Sequence, residues 1–152
     1  MAQARQSSLN VLSNWATNTN ELAQSIDLEN HDTKLPEVID NIRQELTQIT
    51  EDTSKASEHA PYTEDEQQAI SQSYHKFVQS QQVLLNTLIG KHEILSMTPF
   101  TAPLGTILTM LESGFDALGD AILEEVPACD QEVRGKRDQL DSTLGQAIDL
   151  YS

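Results

Sequence analysis

Apolar residues recur every three or four positions along most of the chain, which is the spacing of one face of an α-helix. The first such segment covers residues 3–27. Residues 28–34 lose the pattern and predict a loop that contains His31. Pro36 is suited to the first turn of a second helix, because a helix needs no N–H from its first residues. The pattern of this helix continues to Ala56.

A third helix is predicted after a break at residues 59–61, a stretch that contains His59. Thr63 and Glu66 have the spacing of a capping box, in which each residue satisfies a free backbone N–H at the helix start. The apolar stripe that follows continues to Leu95, and we expect Gly90 to interrupt the helix without ending it.

Two further helices complete the pattern. Pro99 and Pro103 mark a connection, after which a fourth helix runs to about Glu125. Pro127 ends it, and a fifth helix covers residues 129–151. Five amphipathic helices joined by short loops predict an all-α fold, a five-helix antiparallel bundle.

The composition predicts that the centre of this bundle is hollow. The 152 residues suit a single domain, residues 1–152, with 38% hydrophobic and only 5% aromatic residues. Because few large rings are available to fill an aliphatic core, we expect a central hydrophobic cavity. The residues expected to face it are Leu46, Phe77, Leu84, Leu88, Leu108, Leu111 and Phe115.

The charge excludes several classes of partner. Nine basic residues stand against 24 acidic ones, which gives a formal net charge of −15. Nucleic acids and anionic membrane surfaces both need a basic patch, so neither is an expected partner. The apolar runs are also too short for a transmembrane helix.

Nothing in the sequence indicates catalysis. The chain has no HExxH, no GxSxG and no glycine-rich phosphate loop. The four histidines are scattered, and the one cysteine, Cys129, is expected to pack at a helix start. Four acids near one turn are expected to be solvated: Glu124, Glu125, Asp130 and Glu132. We therefore expect no enzymatic activity, no cofactor and no metal.

Polar residues on the apolar stripes carry the remaining information. Gln81 and His92 lie among apolar residues of the third helix, and Thr19 and Thr50 touch the stripes of the first and second. A buried polar group without a partner costs about 1–3 kcal/mol, so each of these must be satisfied. Either neighbouring helices or water satisfy them, or they contact the headgroup of a ligand in an apolar cavity.

The chain resembles the fungal hydrophobic surface-binding protein A (HsbA) and cell-wall galactomannoprotein family. Helix number, length and order fit over nearly the whole chain, and the resemblance is strongest from residue 94 onward. It rests on Ile94-Leu95 and the proline-containing break, Leu111-x-x-x-Phe115-x-x-Leu118-x-x-Ala121-Ile122, Pro127 and Ala147-Ile148-x-x-Tyr151-Ser152.

The resemblance implies a secreted or cell-wall lipid-binding protein, although the N-terminus shows no apolar signal region. Related domains bind long-chain fatty acids, including arachidonic acid, in a central hydrophobic tunnel, and some members look like virulence proteins that sequester host lipids. We then expect Gln81 to donate its amide to a fatty-acid carboxylate, with Thr19 or Thr50 assisting and His92 as the alternative. We also expect a monomer.

Two other functions stay open at this point. Some relatives adsorb to hydrophobic surfaces and are thought to recruit secreted hydrolases, and such a protein would have a filled core. A plain intracellular helical interaction module is the second rival. A fatty acid that co-purifies with the protein would separate the lipid carrier from both.

Overall fold

The computed structural model describes residues 2–54 and 61–152, and α-helix dominates both ranges. No strand occurs in these residues, which confirms the all-α class. None of the described helices is both long and apolar enough to cross a membrane. The helices are α1 (Ala2–Gln24), α2 (His31–Ser54), α3 (Glu64–Gly90), α4 (His92–Leu95), α5 (Thr101–Glu125) and α6 (Asp130–Tyr151).

The described residues thus contain six α-helices rather than the five predicted. Five of them have 22–27 residues and correspond to the five predicted segments. The sixth, α4, has four residues. The predicted end of the second helix at Ala56, and the break containing His59, lie outside the described residues.

Helix α2 begins at His31, so the prediction of a loop through residue 34 was wrong. The reason is a tight turn before the helix. The Asp27 carboxylate accepts the N–H groups of Glu29 and Asn30 at 2.8 and 3.0 Å. The Asn30 carbonyl then accepts the first helical bond, from Lys34 N–H, at 2.9 Å. Pro36 consequently lies inside the helix rather than in its first turn.

Helix α3 starts as predicted and ends earlier. The Thr63 hydroxyl accepts Glu66 N–H at 3.2 Å, and the Glu66 carboxylate accepts Thr63 N–H at 2.9 Å, which confirms the capping box. The helix ends at Gly90 rather than continuing to Leu95. Glycine weakens a helix by about 1 kcal/mol relative to alanine, which favours a helix end at this position.

Pro103 occupies another position than expected, whereas Pro127 follows the end of α5 as predicted. Helix α5 begins at Thr101, so Pro103 belongs to its first turn rather than to the preceding connection. Pro127 opens a single 3-10 turn that separates α5 from α6. Cys129 ends that turn and is buried at the start of α6, where the sequence placed it.

The five long helices form a closed ring in the order α1, α2, α5, α6, α3 and back to α1. Their directions follow from contacts at the two ends of the bundle. Arg5 at the start of α1 pairs with Glu125 at the end of α5, so these helices are antiparallel. Asn20 near the end of α1 bonds to Thr87 near the end of α3, so these are parallel. A ring of five helices encloses a central column that side chains or a ligand must fill.

Gly105 permits the close approach of α5 to the C-terminal end of α6. A β-carbon at this position would overlap the carbonyl oxygen of Tyr151. Gly105→Ala is therefore expected to lower the free energy of unfolding by roughly 1–3 kcal/mol, as overpacking does. Urea denaturation measures the change.

Gly145→Ala is the matched control for this prediction. Gly145 lies inside α6, and a β-carbon there would meet nothing within 4 Å. Alanine is the better helix former, so this variant should gain about 0.5–1 kcal/mol. A Gly105→Ala protein as stable as wild type would show that α5 and α6 are not in close contact at Gly105.

Candidate functional site

A carboxyl and an amide meet inside the ring. Glu45 on α2 and Gln81 on α3 are both fully buried. The Gln81 amide Nε2 donates a hydrogen bond to Glu45 Oε1. Because α2 and α3 are not neighbours in the ring, this bond crosses the interior. Glu45 and Gln81 are called the central pair below.

Each member of the central pair keeps one oxygen without a hydrogen-bond partner in the described part of the chain. These oxygens are Glu45 Oε2 and Gln81 Oε1, and both are inaccessible to solvent. A buried polar atom without a partner is costly, and most such atoms in folded proteins are paired. The central pair therefore has unused capacity for one further polar group.

The central pair is uncharged at neutral pH. Burial raises the pKa of Glu45 from its ordinary value of 4.5 to about 8, and the hydrogen bond from Gln81 opposes part of the rise. Below that value the carboxyl carries its proton and can donate a hydrogen bond. A protonated acid and an amide together offer donors and acceptors to a ligand without placing a charge in the core.

Most of the other buried side chains in the described residues are apolar. The rings of Phe77 on α3 and Phe115 on α5 meet edge to face with centroids 5.6 Å apart, and both are buried. Six of the seven residues predicted to line a cavity are almost fully buried. These six are Phe77, Leu84, Leu88, Leu108, Leu111 and Phe115. The central cavity itself stays a prediction.

Leu46, the seventh predicted wall residue, differs from the others. It is only partly buried and packs against the core with one side. It also lines an apolar groove of about 550 Å³ on the outside of α2 and α5, together with Met110 and Gly114. Met110 is exposed there.

The two threonines predicted to assist Gln81 have different positions. Thr19 is fully buried on α1, and its hydroxyl donates to the Trp15 carbonyl of its own helix at 2.9 Å. Thr50 is exposed, lines the outer groove and donates to the Leu46 carbonyl at 3.0 Å. The expectation for Thr50 is therefore corrected: the structure places it on the outer surface and not beside the fully buried Gln81.

His92 does not lie on the stripe of the third helix, because α3 ends before it. It opens α4, is half-buried, and packs its ring against the ring of Tyr151 with centroids 5.3 Å apart. The Tyr151 hydroxyl donates to the Leu88 carbonyl at 2.5 Å. His92 therefore belongs to the packing where α3 and α6 end.

Sequence reasoning missed Glu45, although a signal was present. Glu45 follows Ile42 by three positions and precedes Ile49 by four, so it lies on the apolar stripe of α2. Charged residues at stripe positions are commonly assigned to the edge of the stripe, because an ionised carboxylate is almost never fully buried. Protonation removes that objection here.

A second buried polar cluster closes one end of the ring. The Arg5 guanidinium donates from Nε to both Glu125 oxygens at 3.0 Å, and its second terminal nitrogen lies 2.9 Å from Glu125 Oε2. Both side chains are about nine-tenths buried. The expectation that Glu125 is solvated was wrong, because its partner is 120 positions away in the sequence.

A groove of about 540 Å³ lies between α3 and α6, and two of its lining residues are lysines. Tyr74 and Val133 contribute apolar surface, and Lys76 and Lys136 line it beside Glu132. Neither lysine forms an ion pair with the residues that the structure describes. No cluster of three or more His, Cys, Asp or Glu suited to a metal ion occurs in residues 2–54 and 61–152.

The site and fold together define an all-α ring bundle with an uncharged polar pair in an apolar interior. No family model matches the sequence, and no curated protein matches it. The structure of AfMP4p in complex with palmitic acid is similar to it, with a TM-score of 0.89, 15% identity and full coverage of both chains.

Two further solved structures share the fold, and both are ligand-binding domains of the Penicillium marneffei MP1 protein. Domain 1, complexed with arachidonic acids, has a TM-score of 0.87 and 14% identity over 96% of this chain and 95% of that one. Domain 2, complexed with multiple arachidonic acids, has a TM-score of 0.81 and 14% identity over 99% and 93%. This chain therefore has the fold of the AfMP4p and MP1 ligand-binding domains.

Proposed function

We propose that this protein binds a long-chain fatty acid inside the ring of helices and performs no chemistry on it. The observation that carries the proposal is the central pair, an uncharged polar group with two unused oxygens in an aliphatic interior. The similar AfMP4p and MP1 domains are complexed with palmitic and arachidonic acids, which supports the same ligand class here.

The energetics favour a ligand that is mostly hydrocarbon. Burying an acyl chain contributes about 0.8 kcal/mol per methylene group, so some sixteen methylenes give roughly 13 kcal/mol. Association costs about 4–15 kcal/mol, so at the lower cost about 9 kcal/mol remains without an ion pair. This matters because a chain of net charge −15 repels a carboxylate in solution. Neutral donors such as the Gln81 amide suit the headgroup better than cations would.

The biological setting of this function rests on the sequence resemblance. We infer a secreted fungal protein of the HsbA and galactomannoprotein kind, present as a monomer, that sequesters fatty acids at or near the cell wall. The similarity to Penicillium marneffei MP1 domains supports the fungal part of this inference. Detection of the native protein in culture supernatant or cell-wall extracts, rather than in cytosol, tests it.

Gln81→Leu is expected to weaken fatty-acid binding roughly 10- to 150-fold, the worth of one hydrogen bond to a charged group. The change removes the amide while keeping a buried side chain of similar size, so the acyl contacts stay. Titration with palmitic acid at neutral pH gives the dissociation constants, and circular dichroism confirms that the variant is folded.

Two control variants make this result specific to the interior. Gln68→Leu makes the same change at an exposed position of α3 and should bind as wild type does. Replacing both Lys76 and Lys136 by Gln removes the cations of the α3–α6 groove and should also leave affinity unchanged. If the lysine variant lost binding while Gln81→Leu kept it, the ligand would bind in the α3–α6 groove, which would contradict the proposal.

A further inference from the structure

Binding a fatty acid at the central pair would bring two carboxyl groups into one buried site. Glu45 is fully buried and its Oε2 has no partner in the described residues. Two carboxylates that share such a site cannot both be ionised, because nothing solvates either charge. One proton between them removes the repulsion and forms a short, charge-assisted O–H···O⁻ bond.

Resting on the proposed function, we propose that Glu45 recognises the carboxyl group of the ligand by sharing one proton with it. The proton lies between Glu45 Oε2 and a carboxylate oxygen of the ligand, and no covalent bond forms or breaks. The central pair is then a site for carboxylic acids, with Gln81 orienting Glu45 through the bond to Oε1. Glu45 is thus a specificity-determining residue.

Among residues 2–54 and 61–152, no charged side chain shifts the pKa of Glu45. The pKa of Glu45 is raised by burial and lowered by Gln81, with no contribution from a charged group of α1, α3, α5 or α6. Arg5, which lies at the end of the ring, is already paired with Glu125. No cation among the described residues therefore takes the place of the shared proton.

A defined pH dependence follows. Below a pH of about 8, Glu45 of the ligand-free protein already holds the proton, so a fatty-acid carboxylate binds without proton uptake. Above that pH, binding must be accompanied by uptake of one proton from solvent, and each further pH unit lowers the affinity by up to about tenfold. Between about pH 7 and pH 9.5 the protonated fraction of Glu45, and with it the affinity, should fall about 30-fold.

Calorimetric titration of the intact protein with dodecanoic acid at these two pH values tests the proposal. Wild type should lose about 30-fold in affinity at the higher pH and take up close to one proton there. Proton uptake is read from titrations in two buffers that differ in ionisation enthalpy. The alcohol 1-dodecanol brings its own O–H group, so its affinity should be nearly independent of pH.

Glu45→Gln supplies the critical variant. An amide at this position donates at every pH, and Gln81 can present its free Oε1 to it, so dodecanoic acid should bind nearly equally at both pH values. Glu51→Gln, an exposed change on the same helix, removes the same charge and should keep the wild-type pH dependence. Circular dichroism shows whether each variant is folded.

The outcomes separate this proposal from the proposed function. Wild type that binds dodecanoic acid equally at both pH values, or a folded Glu45→Gln protein that keeps the loss of affinity, would overturn the shared proton while leaving fatty-acid binding intact. No binding by wild type at either pH would overturn fatty-acid binding itself. If the affinity for 1-dodecanol fell with pH as much as that for dodecanoic acid, the pH dependence would come from the protein and not from the ligand's carboxylate.

Discussion

Glu45→Gln is expected to stabilise the protein above pH 8 by roughly 3–5 kcal/mol and to leave its stability near pH 4 unchanged. In the folded protein the pKa of Glu45 is about 8, against 4.5 for an exposed glutamate. Between those two values the folded state binds more protons than the unfolded state, so the free energy of unfolding falls as pH rises. The amide of the variant does not titrate and escapes this loss.

The measurement is urea denaturation of both proteins at pH values from about 4 to 9, with the difference plotted against pH. Taking the difference removes the contributions of other titratable groups. One of them is Asp141, whose pKa is raised to about 6 by burial and by Asp116. Glu51→Gln, exposed on the same helix, should show no such trend. A difference between wild type and Glu45→Gln that stays constant with pH would mean that Glu45 is not a buried acid.

Arg5→Met is expected to lower the free energy of unfolding by about 3–5 kcal/mol, because it leaves the Glu125 carboxylate buried without its cation. Arg5 makes three contacts of 2.9–3.0 Å with Glu125 and also donates to the Asp52 carbonyl at 3.4 Å. These bonds connect the start of α1 with the ends of α2 and α5. Urea denaturation at neutral pH gives the change in stability.

The double variant Arg5→Met with Glu125→Leu should recover most of that loss, since replacing both charges leaves no uncompensated ion. Arg43→Met is the surface control. Arg43 is exposed and 3.8 Å from Asp40, so its removal should change stability by less than about 1 kcal/mol. Equal effects of Arg5→Met and Arg43→Met would mean that Arg5 and Glu125 are solvated.

The apolar stripes predicted much of this fold because packing inside a bundle follows helical periodicity. Phe77, Leu84 and Leu108 are fully buried or nearly so, as their spacing requires. Helix ends were less predictable. The Asp27 carboxylate forms the turn from which α2 starts early, and α3 ends early at Gly90. Neither residue is part of an apolar pattern.

Half of the central pair could be predicted from the sequence. Gln81 was identified because an uncharged polar residue interrupts an apolar stripe. Glu45 was not, because its burial depends on a pKa that only the assembled interior creates. Glu125 was missed for a related reason, since Arg5 approaches it only in the folded ring.

Native mass spectrometry of the protein purified without organic solvent tests the central claim, fatty-acid binding, most directly. We expect a population heavier than the bare chain by the mass of one or more fatty acids, released as free acids on collisional activation. Added palmitic acid should convert the remaining bare chain into this form. A spectrum of the bare chain alone, unchanged by palmitic acid while circular dichroism shows a folded helical protein, would contradict the claim.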